Sequence, residues 1–288
     1  MKRGIKILIA FLILIGIGFI VFLYAWFIGS KGLIVKEYKI EVDNLPEEYH
    51  GLKIAHITDI HYGESINKKE LEKLKNKINS LKPDIIVFTG DISTDGLSNK
   101  HIEEVSEIMS QMEASIGKYA IKGNHDYNFK KWDLLFDNSG FINLNDTYDT
   151  IYKNKTIPII ISGISTNLYG TKNIKDKIEP IYENLNSYNI ESSKQYAYSI
   201  LLLHEPDFVK EIDYNKFDMV LAGHSHNGQV RLPLIGAIYT PIGSKKYYDE
   251  YYKLNNTDLY ISSGVGTTLL NIRLFNKPSF NFYRLTTK

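Results

Sequence analysis

Five of the eight histidines in this chain lie in short polar motifs that follow apolar segments. In chain order the motifs are Asp59-x-His61, Gly90-Asp91, Gly123-Asn124-His125-Asp126, His204 and Gly223-His224-Ser225-His226. Imidazole, carboxylate and amide groups are nitrogen and oxygen donors that divalent cations accept, and the absence of cysteine removes thiolate from the choice of ligands. Such a series is typical of a two-metal site that activates water for hydrolysis.

Taken singly, most of these motifs also have ordinary structural explanations. Asp59-x-His61 and Gly90-Asp91 could each be a turn that caps the next element, and His204 could be a core histidine with a local partner. Gly123-Asn124-His125-Asp126 fits a turn and a site about equally well. Only Gly223-His224-Ser225-His226 favours a site by itself. Their occurrence together, each after a separate buried segment, makes the structural explanation improbable for the set.

The segments that must position these motifs have the pattern of buried strands. Residues 52–58, 84–89 and 118–121 are apolar and end at the first three motifs, and residues 198–203 and 217–222 end at the two histidine motifs. An α/β sheet delivers side chains to a crevice at its carboxyl strand ends. We therefore expect all five motifs to meet there.

The remaining pattern predicts two packed sheets with helices on both outer faces. Apolar stripes at residues 71–81 and 102–112 predict helices between the first strands, and residues 147–152 and 156–162 form a hairpin-like pair. Residues 165–195 are polar and rich in Asn, Lys and Tyr, and the sequence assigns them no role.

A long apolar segment precedes this domain. Residues 7–29 contain no charged residue and are long enough, as a helix, to cross a hydrocarbon layer about 30 Å thick. The segment ends through Tyr24, Trp26 and Phe27, which is typical of a helix that stays in the bilayer rather than of a cleaved signal peptide. We expect an uncleaved transmembrane anchor.

The charge distribution predicts an orientation and argues against one class of partner. Lys2, Arg3 and Lys6 precede the apolar segment, which favours a single-pass protein of the cell membrane with the rest of the chain on the extracytoplasmic side. The formal net charge of +1 includes these three positive charges, so the rest of the chain carries about −2. Because that leaves no basic surplus for phosphate backbones, no nucleic acid partner is expected. No protein partner is predicted either.

Together the motifs resemble those of the calcineurin-like metallophosphoesterases, from about residue 38 to the C-terminus. Residues 228–233, 235–237, 239–241 and 272–275, with the anchor, resemble the membrane-anchored bacterial branch, in which some relatives cleave the pyrophosphate of a UDP-diacylglucosamine lipid precursor. The resemblance implies a four-layer αββα sandwich of two mixed β-sheets flanked by helices, preceded by one N-terminal transmembrane helix. Residues 1–30 would be the membrane anchor and residues 31–288 the catalytic domain. The chain departs from the family pattern in the histidine loop, where Ser225 and Asn227 replace Thr and Gly, and at residues 276–279.

The resemblance also implies a role for each residue of the motifs. The first cation would be held by Asp59, His61 and His226. The second would be held by Asn124, His204 and His224. Asp91 would bridge the two cations, and His125 would be a catalytic residue outside the ligand set that protonates the leaving oxygen.

The implied function is a membrane-tethered dinuclear-metal phosphohydrolase. It would cleave a phosphate ester or pyrophosphate by attack of a metal-bridging hydroxide, on a phosphorylated small molecule or a lipid-linked substrate. Two divalent cations per chain are expected, and Mn, Zn and Fe all suit the ligands. Two alternatives remain open: a nucleotidase or nuclease, and a catalytically silent metal-dependent binding module.

Overall fold

The computed structural model describes residues 2–43, 45–153, 157–170, 172–190, 193–194 and 196–288. The chain begins with helix α1 (Lys2–Tyr24), which continues as a short π-helical turn over Ala25–Gly29. The large apolar side chains of α1 are exposed along its length, and residues 3–29 have the length and composition to cross a membrane.

The rest of the chain alternates strands and helices. The strands are β1 (Ile34–Val42), β2 (Lys53–Ile57), β3 (Ile85–Phe88), β4 (Gly117–Ala120), β5 (Ile142–Asn143), β6 (Thr147–Ile151), β7 (Ile159–Ile164), β8 (Asn189–Ile190), β9 (Ser193–Lys194), β10 (Tyr198–Leu203), β11 (Met219–Ala222), β12 (Arg231–Leu232), β13 (Gly236–Ala237), β14 (Tyr251–Leu254), β15 (Thr257–Ile261) and β16 (Ser279–Thr287). The helices are α2 (Lys68–Leu81), α3 (Asn99–Ser110), α4 (Trp132–Asn138) and α5 (Ile174–Ser187).

The first sheet has the strand order β1-β16-β2-β3-β4-β5. Strands β2 to β5 run parallel to one another, so their carboxyl ends lie at one edge, whereas β16 runs antiparallel to β2. Helices α2, α3 and α4 cover the outer face. The sequence of α2 shows why it forms there: Asn67 accepts the backbone N–H of Lys69 at 2.9 Å as an N-cap, and Leu71, Leu74 and Ile78 form the buried stripe.

The second sheet has the order β14-β15-β11-β10-β7-β6. Its four central strands are parallel, and the edge strands β14 and β6 pair antiparallel with their neighbours. Helix α5 covers its outer face together with the 3₁₀ turn Pro206–Glu211. The predicted hairpin is the antiparallel pair β6–β7, although residues 154–156 of its connection lie outside the described residues.

The inner faces of the two sheets pack against each other. Ile54 and Val87 of the first sheet share one apolar core with Ile161, Leu202 and Leu221 of the second. Three apolar layers therefore separate four layers of secondary structure, which confirms the predicted αββα sandwich of two mixed sheets. This packing brings the carboxyl edges of the two sets of parallel strands side by side. The backbone N–H of His224, after β11, therefore reaches Asp59 Oδ2, after β2, at 3.0 Å.

Candidate metal centre

Each sequence motif lies in the loop directly after a parallel strand. Asp59 and Asp91 follow β2 and β3, Asn124 follows β4, and His204 and His224 follow β10 and β11. The structure brings all seven predicted ligands to this one edge. Six of them are buried and Asn124 is half-buried.

The first group of converging donors comprises Asp59, His61 and His226. Nε2 of His226 lies 3.4 Å from Asp59 Oδ1, and Nε2 of His61 lies 3.9 Å from the same oxygen. These separations leave a space between three potential ligand atoms, as a cation site requires.

The second group comprises Asp91, His204 and His224, with Asn124 beside them. Nε2 of His204 lies 3.2 Å from Asp91 Oδ2 and 3.1 Å from Asn124 Oδ1. The same Asp91 oxygen is 3.8 Å from His61 Nε2 in the first group. Asp91 is therefore the carboxylate that faces both groups.

The other nitrogen of several rings has a partner that fixes the ring orientation. Nδ1 of His204 donates to the Thr89 carbonyl at 2.5 Å, and Nε2 of His224 donates to the Ile242 carbonyl at 2.7 Å. Nδ1 of His61 lies 3.0 Å from Thr94 Oγ1. Such outer contacts are characteristic of metal-binding histidines, because they leave the opposite nitrogen free for a cation.

The Nε2 atom of His61 indicates that the donor set fits a metal ion. Nε2 of His61 is buried and, among the residues that the structure describes, has no hydrogen-bond partner. An unpaired buried polar atom costs free energy, and a cation between His61 and the nearby carboxylates would remove that cost. The residues present therefore fit a divalent metal.

Burial and mutual contacts shift the ionisation of the site. Burial raises the pKa of Asp59 to about 6 and lowers the pKa of His61 to about 4. Burial alone would raise the pKa of Asp91 and lower that of His204, but the attraction between these two groups reverses both directions, so Asp91 stays ionised and the His204 pKa lies well above its ordinary value.

The backbone of the site is strained at the ligands themselves. Five of the seven have positive φ: Asp59 (51°), His61 (46°), Asp91 (62°), His224 (63°) and His226 (48°). Non-glycine residues rarely adopt this region, and such strain concentrates at functional sites. Gly223 permits the close contact between the loops, because a Cβ there would lie 2.1 Å from Thr58 Oγ1.

His125 lies beside the donor groups rather than within them. Its backbone N–H donates to Asp91 Oδ1 at 2.9 Å, and its Nδ1 lies 3.1 Å from the Thr94 carbonyl oxygen. Its ring packs edge-on to that of His61 with centroids 5.3 Å apart. His125 belongs to neither of the two groups of converging donors.

Sequence reasoning assigned no role to two further buried residues. Asp126 accepts the backbone N–H groups of Asp91 at 2.7 Å, Ile92 at 3.0 Å and Gly123 at 3.0 Å, so it joins the loops after β3 and β4. Its place in the third motif was the available signal. Arg273 is fully buried, and its Nη2 lies 3.4 Å from His226 Nδ1. Its only signal in the sequence was its place in residues 272–275, which resemble the membrane-anchored branch but indicate no contact with the site.

The chain is similar to known proteins of one family. The model of the calcineurin-like phosphoesterase family matches residues 52–228. The chain is similar to the metallophosphoesterase YkuE of Bacillus subtilis, at 30% identity over 91% of this chain and 88% of that protein. It is also similar to a zebrafish transmembrane protein with a metallophosphoesterase domain, at 25% identity over 84% of this chain and 55% of that protein.

A solved structure supports the fold. The structure of TT1561 from Thermus thermophilus superposes with a TM-score of 0.50 at 12% identity, covering 75% of this chain and 92% of that one. On the family match and the Bacillus relative, the chain belongs to the calcineurin-like phosphoesterases and is a metal-dependent phosphoesterase.

Proposed function

We propose that this chain is a membrane-tethered phosphohydrolase with two metal ions, which cleaves a phosphate ester or a pyrophosphate. The observation that carries the proposal is the convergence of seven donor residues in two groups that Asp91 faces, with Nε2 of His61 lacking a partner among the described residues. Asp59, His61 and His226 would hold one cation, Asn124, His204 and His224 the other, and Asp91 would bridge them.

The charge of this donor set suits an anionic substrate. Two divalent cations would bring four positive charges, while the set contributes only the two carboxylates of Asp59 and Asp91, because neutral imidazole and amide groups add none. When bound, the cations lower the pKa of water towards neutrality and offset the charge of the phosphate. The ligand identities leave open Mn, Zn and Fe.

The protein supplies a proton donor through His125. With Nδ1–H directed at the Thr94 carbonyl, the protonated ring has Nε2–H available for the leaving oxygen. The contact of its backbone N–H with Asp91 Oδ1 ties this donor to the bridging carboxylate. We assign His125 the role of general acid.

The membrane part of the proposal rests on α1. We propose residues 1–30 as a single-pass anchor in the cell membrane and residues 31–288 as an extracytoplasmic catalytic domain. Support comes from an exposed apolar helix that is long enough to span a bilayer and from the basic residues before it. The tether would hold the site near substrates that are phosphorylated small molecules or lipid-linked phosphates.

The test is hydrolysis by the full chain in detergent with added Mn²⁺. We expect turnover of bis(p-nitrophenyl) phosphate or of a member of a nucleotide and pyrophosphate panel, with loss of turnover on chelation and recovery when Mn²⁺ is returned. Metal bound at two equivalents without turnover of any substrate would instead support the silent binding module. Turnover that persists in a chelated, metal-free sample would contradict the proposed chemistry.

A further inference from the structure

Two loops beside the metal centre expose a set of apolar side chains. The first loop contains residues 234–242 and the second contains residues 269–275. We call this set the rim patch, and it comprises Leu234, Ile235, Ile238, Tyr239, Ile242, Leu269, Leu270 and Phe275. Each of these side chains is more than half exposed, and Leu234 is fully exposed. Contiguous exposed apolar surface of this kind marks an interaction site.

The two loops form one surface because their backbones pair. Arg231 N–H donates to the Leu274 carbonyl at 3.0 Å, and Leu274 N–H donates to the Gln229 carbonyl at 3.2 Å. The Gln229 side chain accepts Thr268 N–H at 3.0 Å and donates to the Leu270 carbonyl at 3.0 Å. The apolar residues of both loops are therefore held together.

This surface continues into the anchor. The backbone N–H of Arg273, which lies between Leu270 and Phe275, donates to the Ala25 carbonyl at 3.1 Å. A Cβ on Gly29 would lie 1.8 Å from the Arg273 carbonyl oxygen, so the two backbones touch. Trp26, Phe27 and Ile28 are exposed on the same turn. The rim patch thus begins where the proposed membrane span ends.

The surface also borders the metal centre. The carbonyl of Ile242 in the first loop accepts Nε2–H of His224, and a Cβ on Gly266, just before the second loop, would lie 2.2 Å from the Ile60 carbonyl oxygen. Arg273 reaches His226 from the second loop. Whatever covers the rim patch therefore lies at the entrance to the site.

Backbone conformation indicates that these side chains serve an external contact. Leu234 is the third residue of the turn closed by Ile235 N–H and the Leu232 carbonyl, and its φ is +67°. Glycine or asparagine is favoured at such a position. Leu269 and Phe275 also have positive φ, at 62° and 50°. Bulky residues there strain the loops while burying little surface within the chain, and a contact outside the chain would offset that strain.

The charge around the patch favours a bilayer as that partner. Residues 219–248 and 259–288 contain no Asp or Glu. The acidic side chains beside Phe275 are Asp249 and Glu250, and each is paired with a basic residue: Asp249 lies 2.6 Å from Arg231 Nη2, and Glu250 lies 2.6 Å from Lys36 Nζ. Lys31, Lys245 and Lys277 are exposed beside the patch and its junction with the anchor. Apolar and tyrosine side chains flanked by lysine suit the interface of an anionic membrane.

We propose that the rim patch inserts into the interface of the same bilayer that α1 crosses, so that the metal centre opens onto lipid headgroups. The inference rests on the membrane tether proposed above and narrows its substrate to phosphate groups at the bilayer surface. Binding of a second copy or of another protein is the competing outcome of the test.

The test uses the absence of cysteine in the chain, which permits one environment-sensitive fluorophore at a time. Full-length Leu234→Cys and Leu269→Cys proteins are labelled and reconstituted into vesicles of phosphatidylethanolamine and phosphatidylglycerol. The matched control is Tyr152→Cys, an exposed site after β6 at the opposite end of the second sheet. Ile15→Cys, within α1, reports the anchor.

We expect shallow spin-labelled lipids to quench the labels at 234 and 269, and aqueous iodide to quench them roughly threefold less than the label at 152. If iodide reaches 234 and 269 as readily as 152 while the Ile15 label is in lipid, the docking proposal fails and the tether stands. If iodide also reaches the label at position 15, both the docking proposal and the membrane tether fail. Labels at 234 and 269 shielded from iodide but untouched by lipid quenchers would indicate a protein contact and overturn the proposal. Hydrolysis of bis(p-nitrophenyl) phosphate in the same vesicles reports the proposed activity separately.

Discussion

The metal centre and the rim patch both invert the usual distribution of polar and apolar residues, in opposite directions. The centre buries Asp59, Asp91 and several imidazoles, whereas the patch exposes Leu234 and Leu269. Each arrangement is unfavourable for the isolated chain, because a buried carboxylate loses solvation and exposed hydrocarbon orders water. On the proposals above, cations would offset the first cost and a bilayer the second, so each region would be completed by a component from outside the chain.

The two regions differ in how they are held. In the centre every ligand loop is tied to another, as when Asp126 joins the loops after β3 and β4. In the patch the backbone is paired but the side chains extend into solvent. Substitutions in the centre should therefore affect chemistry and metal content, and substitutions in the patch should affect membrane contact.

The largest expected effect is that of Asp91→Ala. Because this carboxylate faces both donor groups, its removal should release both cations and reduce hydrolysis to that of a chelated sample. Metal content by elemental analysis and turnover of bis(p-nitrophenyl) phosphate measure the two losses. Asp84→Ala is the matched control, since Asp84 precedes the same strand at its opposite end and binds Lys53 N–H. If Asp91→Ala kept its full metal content, Asp91 would not bridge the two cations.

His125→Ala should keep its metal while losing rate. General acid catalysis contributes roughly 10² to 10⁴-fold, so we expect a loss of about 10³-fold on substrates with poor leaving groups and a smaller loss with p-nitrophenolate as leaving group. Comparison of kcat on alkyl and nitrophenyl diesters measures the difference. Equal metal loss in His125→Ala and Asp91→Ala would contradict the division between ligand and acid.

The metal centre was largely predictable from the sequence, whereas the exposure of the rim patch was not. Strand ends are local signals, since Gly90-Asp91 and Gly223-His224 directly follow apolar runs, and parallel pairing then brings distant loops together. The meeting of the motifs followed from that rule. The two packed sheets with outer helices followed from the order of strand and helix patterns, and the four-layer αββα sandwich was implied by the family resemblance. Arg273 escaped prediction because its burial depends on carbonyls from residues 263–266 that only the folded loops bring near. Parts of the rim loops resembled the membrane-anchored branch, but the exposure of their apolar side chains was not predicted, because it follows no periodicity.

His56 shows the effect of burial on the pKa of an imidazole outside the metal centre. It lies outside both donor groups, with Nε2 at 2.8 Å from Thr89 Oγ1 and Nδ1 at 3.3 Å from the Tyr283 hydroxyl. Burial lowers its pKa from 6.5 to about 3. Between these values the unfolded chain binds a proton that the native chain does not, so the stability present above pH 6.5 is lost as the pH falls.

The expected size is about 1.4 kcal/mol per pH unit. Between pH 6 and pH 5 the free energy of unfolding should therefore fall by about that much more in the natural protein than in His56→Gln. Denaturant unfolding of the detergent-solubilised chain, followed by tryptophan fluorescence, measures it. Tyr283→Phe removes a partner but keeps the imidazole, so it should keep the slope. Identical slopes in the natural protein and His56→Gln would show that His56 does not titrate in this range.

The smallest expected effect concerns Leu234→Asn in the rim patch. A left-handed conformation costs a branched or bulky residue about 1–2 kcal/mol, and asparagine tolerates it better. Because Leu234 is fully exposed, little burial is lost, and the free energy of unfolding should stay constant or rise by up to about 1 kcal/mol. The control Leu71→Asn, in the buried stripe of α2, should lower it by about 3 kcal/mol or more. Denaturant unfolding in detergent measures both variants. If both are destabilised by similar amounts, Leu234 packs within the fold. The rim would then not be an exposed apolar surface, and its contrast with the buried polar centre would not hold.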